Sequence, residues 1–294
     1  MKLHLVDGTF ELFKAYFSYP STITSSGVEV GAVRGFLRSM FSLLKQDGVT
    51  HIAAAFDHTI ESFRNDLFIG YKTGEGLEAE LANQFPLVED ASQALGIVTW
   101  PMIEFEADDA LASAAYKWKK LKSLEQIVIC SPDKDLCQMV EGNRVITWDR
   151  IRKTNLDEGA VTEKFGIPPK SIPDYLALVG DSADGIPGVP RWGAKSTAQI
   201  LQVFGCIENI PFDLEHWPKV RGGKSLLAQL LDHQDEVKLY KTLATLRRDV
   251  PIAETFAQLR WQGCDIKALK KLCKRIEDPA FLQSVETWQK QSQK

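Results

Sequence analysis

The amino-acid sequence predicts an α/β fold, with a mostly parallel sheet flanked by helices, followed by a helical region. Over residues 1–175, short apolar runs alternate with amphipathic helical patterns, which is typical of parallel strands joined by crossover helices. Over residues 176–294 the strand signal fades and helical patterns dominate. We therefore expect a first domain built on the sheet and a second region built on helices.

The strand predictions depend on short apolar runs that are bounded by polar or turn residues. The predicted strands are 2–7, 51–57, 96–100 and 126–131. The helix predictions depend on apolar residues that recur at helical spacing. The predicted helices are 31–46, 107–122, 194–204 and 225–246.

The composition is typical of a soluble globular protein. Of the 294 residues, 44% are hydrophobic and 25% are charged, and the formal net charge is -4. This argues against a broadly basic nucleic-acid coat, but not against a local basic groove. No apolar stretch reaches the ~20 residues of a membrane span, and Asp7 would interrupt the apolar part of a signal peptide. The five cysteines include no C-x-x-C pair, so we expect a reducing, cytoplasmic location and no membrane partner.

Carboxylates follow every predicted strand, either directly or after a short connection. In an open parallel sheet the carboxyl ends of the strands meet at one edge, where ligands bind. We therefore expect these side chains to lie together: Asp7, Asp57, Glu106, Asp108, Asp109, Asp133 and Asp135.

Two explanations account for these carboxylates. Any one of them could cap the helix that follows its strand. Together, however, like charges ~4 Å apart cost on the order of 4 kcal/mol per pair at an effective dielectric of 20, and bound cations would remove that cost. Ligand sets made of oxygen alone select Mg²⁺ or Mn²⁺ over zinc. Of the histidines, only His58 lies near this edge, and no serine or cysteine nucleophile motif is evident.

The glycine-rich run GVPRWGAKS, residues 188–196, invites comparison with a phosphate-binding P-loop. A P-loop has lysine directly after its second glycine, whereas here Ala194 separates Gly193 from Lys195. The run also follows Asp181 and Asp184, which are poorly suited to a loop that holds triphosphate. The sequence therefore argues against a nucleotide-binding loop at this position.

Five stretches of the chain resemble a known family. They are 5–17, 56–74, 104–113, 130–140 and 178–205, and they include the runs EADD, DKDL and GDSADGIPGV. In this order they resemble the 5′-nuclease superfamily, which includes the flap endonucleases and the N-terminal 5′→3′ exonuclease domain of bacterial DNA polymerase I. The resemblance implies a PIN-like nuclease domain over 1–175 with a helical arch at about 72–95. It also implies a helical DNA-binding region over 176–294 with a helix–loop–helix hairpin at 181–205.

The resemblance also implies two bound divalent cations. Around the first ion it places Asp7, Asp57, Glu106 and Asp108. Around the second it places Asp109, Asp133, Asp135, Asp181 and Asp184. The implied catalytic residues are Asp108, Lys72 and Arg64. For Arg64 a structural ion pair is the alternative, and Tyr71 either stacks on a base or belongs to the core.

In the family the hairpin grips duplex DNA. The residues of this chain that match its DNA contacts are Gly188, Gly193, Ala194, Lys195 and Ser196. The backbone carbonyls that match a K⁺ site in relatives are those of Val189 and Trp192. Where many relatives read G-I, this chain has Pro190, Arg191 and Trp192, and this departure from the family pattern puts that K⁺ site in doubt.

A second departure lies in the arch, where relatives carry basic residues. This chain has no lysine or arginine between Lys72 and Lys117, and it places Glu75, Glu78 and Glu80 in the interval. The segment is either a solvated helix face or an arch that handles DNA differently. Basic clusters that could line a duplex path are Arg34 and Arg38, Arg150, Arg152 and Lys153, Arg221 and Lys224, and Arg247 and Arg248.

The expected function is that of a metal-dependent, structure-specific 5′ nuclease. Its expected partner is DNA with 5′ ends, nicks, gaps or flaps, and we expect a monomer. No polymerase domain follows within the 294 residues, so a stand-alone nuclease is expected. The alternatives are a catalytically silent DNA-binding module on the same fold and an RNA-directed PIN-like nuclease.

Overall fold

The structure is a computed structural model that describes residues 1–292. A six-stranded sheet with strand order β3-β2-β1-β4-β5-β6 forms its centre. The strands are β1 Lys2–Asp7, β2 Val49–Asp57, β3 Val98–Met102, β4 Gln126–Cys130, β5 Val145–Asp149 and β6 Thr154–Leu156. All neighbours are parallel except β6, which runs antiparallel to β5. The predicted mostly parallel sheet is confirmed, and β5 and β6 are additions to it.

Helices cover the sheet and continue beyond it. In chain order they are α1 Gly8–Ser18, α2 Gly31–Leu44, α3 Phe63–Leu67, α4 Ala79–Ala82, α5 Phe85–Ala94, α6 Ala107–Trp118, α7 Glu158–Phe165, α8 Ile172–Val179, α9 Ala194–Phe204, α10 Gly223–Asp232, α11 Gln234–Ala244, α12 Ile266–Arg275 and α13 Pro279–Ser292. Short 3₁₀ turns lie at Asp135–Met139, Pro169–Ser171, Ile207–Asn209 and Phe256–Leu259. No helix in the described part of the chain is long and apolar enough to cross a membrane.

Three apolar cores hold these elements together. The first core lies between one face of the sheet and α1, α2, α5, α12 and α13. The second core joins the opposite face to α6 and to the chain after α11. The third core lies within the module formed by α7 to α11. Phe281 and Val285 of α13 are buried in the first core, so the chain beyond residue 266 returns to the sheet and does not belong to a separate helical region.

Two predicted helical segments differ from the structure. The single helix predicted over 225–246 is wrong, because the helix ends at His233, where φ is -120°. The break lets both α10 and α11 bury apolar residues in the third core. The predicted arch at 72–95 also divides, because α5 packs in the first core while most side chains of 73–84 are exposed or half-buried.

Candidate metal centre and nucleic-acid interface

Asp7 and Asp57 lie at the carboxyl ends of adjacent strands, and both also bond to a helix start. Asp7 Oδ1 accepts a hydrogen bond from the Phe10 amide at 2.8 Å, and its Oδ2 accepts one from Ser131 Oγ at 2.9 Å. Asp57 Oδ1 accepts one from the Ala107 amide at 2.7 Å. The two explanations weighed from the sequence are therefore compatible, since each carboxylate caps a helix and still contributes to the acidic edge.

Glu106, just before α6, is surrounded by side-chain hydrogen-bond donors. Its Oε1 accepts hydrogen bonds from Ser62 Oγ at 2.7 Å and Arg64 Nη1 at 3.0 Å. Lys72 Nζ lies 2.8 Å from its Oε2. Burial raises the pKa of Glu106, but the positive charges of Lys72 and Arg64 lower it by more, so the net shift of the pKa is downward. Glu106 is therefore held ionised by partners of its own.

Asp109 does not fit the predicted metal-ligand role. It is 0% exposed, and Arg64 grips it in a fork, with Nη1–Oδ2 and Nη2–Oδ1 distances of 2.7 Å each. The amides of Arg247 and Glu106 donate to its remaining positions. Because the four donors occupy both oxygens, an ion could bind only by displacing one of them at a fully buried position, and the structure contradicts the assignment of Asp109 to the second ion.

Arg64 is likewise not free to reach a phosphate, because its side chain is 1% exposed. Besides Asp109 and Glu106 it donates to the carbonyls of Leu243 and Thr245. The predicted catalytic contact of Arg64 with the phosphate is therefore wrong, and the alternative of a structural ion pair is confirmed. Through these hydrogen bonds, Arg64 connects the end of α11 to the acidic edge of the sheet.

Asp108 precedes Asp109 in α6 and faces the acidic edge of the sheet. Burial, then Asp133 and Asp7, raise its pKa well above the usual value. Asp7 is affected in the same way: burial and the charges of Asp57 and Asp133 raise its pKa to about 7, against the opposing hydrogen bonds from Phe10 and Ser131. The protein therefore supplies too little positive charge to keep Asp7 and Asp108 ionised together, which a bound cation would supply.

A second group of carboxylates, named here the triad, consists of Asp135, Asp181 and Asp184. One ligand oxygen from each lies within 4.8 Å of the others. Asp135 Oδ1 is buried and has no hydrogen-bond partner among the residues the structure describes. Burial, then the charge of Asp133, raise the pKa of Asp135 well above its usual value. The donor set is made of hard oxygens alone, and with one oxygen unpartnered it fits a divalent cation of the Mg²⁺ type.

Backbone contacts fix the triad beside residues 70–72, which lead into the mostly exposed residues 73–84, named here the arch segment. The Lys72 amide donates to the Asp184 carbonyl at 3.0 Å. Gly185 has a φ of +74°, and a Cβ placed on it would meet the Gly70 carbonyl oxygen at 2.1 Å. Only glycine fits this crossing, which brings residues 70–72 against the triad.

Lys72 and Tyr71 lie at this crossing with different environments. Lys72 Nζ lies 3.1 Å from Asp184 Oδ1 as well as near Glu106. Burial lowers the pKa of Lys72, but Glu106, Tyr71 and Asp184 outweigh that effect and leave its pKa well above the usual value. Tyr71 is 3% exposed and its hydroxyl lies 3.3 Å from Glu106 Oε2. The predicted base-stacking role of Tyr71 is therefore wrong, and it is a core tyrosine.

The hairpin presents the exposed start of α9. Gly193 is the N-cap, and Ser196 Oγ bonds to both its amide and its carbonyl. Gly193, Ala194 and Lys195 are exposed, as a phosphate contact requires. Gly188 has a φ of +72°, and a Cβ there would lie 2.5 Å from the Gly180 nitrogen.

Val189 and Trp192 are both 4% exposed. The carbonyl of Val189 accepts the Trp192 amide at 3.1 Å, and the Trp192 indole donates to the Leu226 carbonyl. The tryptophan that departs from the family pattern thus anchors the hairpin to α10. The K⁺ site remains a prediction.

Most of the basic clusters named from the sequence have structural partners. Arg34 and Arg38 bond to the Ile276 carbonyl and to Asp278, and Arg150 pairs with the buried Glu11. Arg247 pairs with Asp249. Arg152 lies 3.8 Å from Asp149 and Arg248 lies over the Tyr116 ring. Lys153, Arg221 and Lys224 are also exposed.

Sequence reasoning missed Ser62, Ser131 and Lys134. Lys134 Nζ lies 2.6 Å from Asp181 Oδ2. Its place within the DKDL run was a signal that could have identified it. The two serines follow or precede the acidic positions without any distinctive pattern.

Comparison with known proteins finds similarity over most of the chain. Residues 2–166 match the 5′-3′ exonuclease N-terminal resolvase-like domain, and residues 167–267 match the 5′-3′ exonuclease C-terminal SAM fold. The 5′-3′ exonuclease of Aquifex aeolicus is 30% identical over 285 residues, which cover 97% of this chain and 95% of that protein. DNA polymerase I of Bacillus caldotenax is 32% identical over 290 residues, and the chain spans 32% of its length.

Solved structures show the same fold at lower identity. The T5 5′-exonuclease with bound divalent metal ions (zinc) superposes with a TM-score of 0.66 at 18% identity, covering 98% of this chain and 99% of that one. The catalytic core of Rad2 in complex with DNA substrate has a TM-score of 0.60 at 15% identity, covering 97% and 91%. These likenesses support the fold described above.

Proposed function

The chain belongs to the 5′-3′ exonuclease family, and from that membership we propose that it is a metal-dependent, structure-specific 5′ nuclease. Its substrate in this proposal is DNA with a 5′ end, nick, gap or flap, cut near the junction of single strand and duplex. The observation that carries the proposal is the set of buried, unbalanced carboxylates at one edge of the sheet, beside an exposed hairpin. We further propose that the protein acts as a monomer in the cytoplasm, where its five free cysteines would stay reduced.

Two groups of residues would hold the divalent cations, Mg²⁺ or Mn²⁺. Asp7, Asp57, Glu106 and Asp108 would face the first ion, and the triad with Asp133 would face the second. When bound, such ions supply a water of lowered pKa and neutralise charge on the phosphate undergoing hydrolysis. Ser131 and the helix-start amides keep Asp7 and Asp57 oriented toward the edge.

Lys72 is the proposed contact with the scissile phosphate. Its ammonium stays charged beside Glu106 and Asp184, and its side chain is 32% exposed at the foot of the arch segment. A fixed positive charge in this position stabilises negative charge that grows on a phosphate oxygen. Arg64 acts through other groups, since it holds Glu106 and Asp109 in place.

The hairpin is the proposed grip on the duplex. The free amides at the start of α9 and the exposed Lys195 provide donors for one backbone phosphate. Phosphate contacts supply affinity that does not depend on sequence, which suits an enzyme that recognises DNA structure. The carbonyls of Val189 and Trp192 are the candidate K⁺ ligands, and replacing K⁺ by a large organic cation in a binding assay would test them.

The deciding experiment incubates the purified chain with labelled flap, nicked and gapped duplexes, with and without Mg²⁺, and with matched RNA substrates. The proposal expects Mg²⁺-dependent cuts at the DNA junctions. Binding without any cut would support a silent DNA-binding module instead, and preferential cutting of RNA would support an RNA-directed nuclease.

A further inference from the structure

Lys134 is a charged residue that the proposed chemistry does not use. It lies between Asp133 and Asp135, and its ammonium contacts Asp181 Oδ2 at 2.6 Å. The Asp181 side chain is 4% exposed and that of Lys134 is 37% exposed. The ammonium thus lies at the rim of the triad, with one side toward solvent.

The triad has few other partners for its charge. Asp181 Oδ1 accepts the Ala183 amide at 3.1 Å, and Asp184 Oδ1 lies 3.1 Å from Lys72 Nζ. Within residues 1–292, the salt bridges to the triad come from Lys134 and Lys72. In the metal-free protein, therefore, these lysines provide part of the positive charge that a divalent cation would provide.

We propose that Lys134 is an internal competitor for the divalent cation at the triad, and that its ammonium leaves Asp181 when the ion binds. The inference depends on the proposed function, because it assumes that the triad is a metal site. A divalent ion and an ammonium on one buried carboxylate would be like charges only a few ångströms apart, where repulsion is strong.

The surroundings of Lys134 make this exchange feasible. Its backbone is fixed, because the Asp133 amide donates to Ser131 Oγ and the Asp135 amide donates to Asp133 Oδ1. Its side chain is a flexible four-carbon stem whose head is already near water, so leaving Asp181 desolvates nothing. Lys134 thereby stabilises the triad whenever no ion is bound and holds its affinity for the ion low enough for exchange.

The test measures Mn²⁺ binding to the full chain by titration calorimetry without DNA. In Lys134→Met the Mn²⁺ site formed by the triad should bind about two- to fivefold more tightly, and the metal-free protein should melt at a lower temperature. Lys134→Arg keeps the charge and can grip Asp181 in a fork, so its Mn²⁺ affinity should equal or fall below that of the wild type.

Lys241→Met is the matched control. Lys241 Nζ lies 2.7 Å from Asp174 Oδ1, with side-chain exposures of 26% and 4%, in the helical module. This variant should lose similar stability without any change in Mn²⁺ affinity.

Unchanged or weaker Mn²⁺ binding in Lys134→Met would overturn the inference. Weaker binding would mean that Lys134 orients Asp181 for the ion. If that variant does not fold, Lys134→Arg decides, since tighter binding than the wild type is incompatible with competition. A wild-type protein that binds no Mn²⁺ would instead refute the proposed metal-dependent function.

Discussion

Two groups of carboxylates at one edge of the sheet differ in how their charge is balanced. Around Arg64, the carboxylates of Asp109 and Glu106 receive forked or multiple charged hydrogen bonds. In the triad, Asp135 Oδ1 has no partner among the described residues and the nearest cations are lysines at the rim. The comparison teaches that Asp109, whose four hydrogen bonds all come from the protein, is structural, whereas the triad, whose charge the protein leaves incomplete, is available to a ligand.

The largest effect should come from Asp108, on the unbalanced side of this comparison. Asp108→Ala should lower single-turnover cleavage of a nicked duplex in Mg²⁺ by about 10⁴-fold, because it removes a proposed metal ligand. Binding to DNA at low salt, measured by fluorescence anisotropy, should change little. Cleavage near the wild-type rate would show that the unbalanced carboxylates are not the catalytic ones.

Arg64 should show the opposite behaviour. Arg64→Met leaves Asp109 buried without its partner, which should lower the free energy of unfolding by about 3–5 kcal/mol. Urea unfolding measures this change, and Arg64→Met with Asp109→Leu should recover most of it. Arg247→Met is the control, because its pair with Asp249 is exposed and should matter little. A stable Arg64→Met protein that has lost cleavage would make Arg64 a catalytic residue after all.

The pH dependence of the free energy of unfolding should reveal the carboxylates that lack balancing charge in the metal-free protein. Because the folded pKa of Asp7 is about 7, above its usual 3.8, the folded state binds more protons than the unfolded state between these values. Stability should therefore fall as pH rises, by about 2 kcal/mol between pH 5 and pH 7.

Burial also raises the pKa of Asp108 and Asp135, which acts in the same direction. Urea unfolding in EDTA at a series of pH values measures the slope, and saturating Mg²⁺ should flatten it. Stability that rises over this range would mean that the edge is already balanced without an ion.

Lys195, at the start of α9, is an exposed cation without an ion-pair partner within residues 1–292, so it is available to a ligand of opposite charge. Lys195→Ala should weaken duplex binding and reduce the salt slope of log K by about one unit, because one phosphate contact is lost. Cleavage at saturating enzyme should stay close to normal. A loss of rate with unchanged binding would instead place Lys195 in the chemistry.

The smallest effect is expected at Glu75, an anion of the arch segment whose side chain has no ion-pair partner within residues 1–292. Its side chain is exposed, and its repulsion of a 5′ strand acts over the ~10 Å Debye length at moderate salt. Glu75→Arg should improve cleavage of long-flap substrates a fewfold, mainly through KM. Nicked duplex is the control substrate, and equal effects on both would show that the segment is only a solvated surface.

The sequence was sufficient where local pattern decides the structure. The strand 2–7 and the helix 194–204 have the predicted bounds, because alternation, apolar spacing and a glycine cap are local signals. The carboxyl-end positions of Asp7 and Asp57 followed from sheet geometry alone. The short strand β6, T-N-L, carries no apolar pattern and was missed.

The sequence was insufficient where a distant partner decides a role. Asp108 and Asp109 are adjacent and chemically identical, yet about 100° of helical rotation turns one toward the acidic edge and the other toward Arg64. Tyr71 beside Lys72 is a similar case, since only the tertiary fold shows which of the two side chains is buried. The break at His233 is also tertiary, because α10 and α11 each turn toward the third core.

The return of the last helices to the sheet bears on how the chain is made. Phe281 and Val285 fill the first core, and Arg38 of α2 pairs with Asp278 at 2.6 Å. During synthesis, the sheet and α2 emerge from the ribosome with this surface uncovered, and the wait for α13 lasts on the order of ten seconds. The sheet therefore exposes an apolar face until α13 has been synthesised, which makes the docking of α13 a late step in the folding of this domain and truncation before α13 a cause of aggregation.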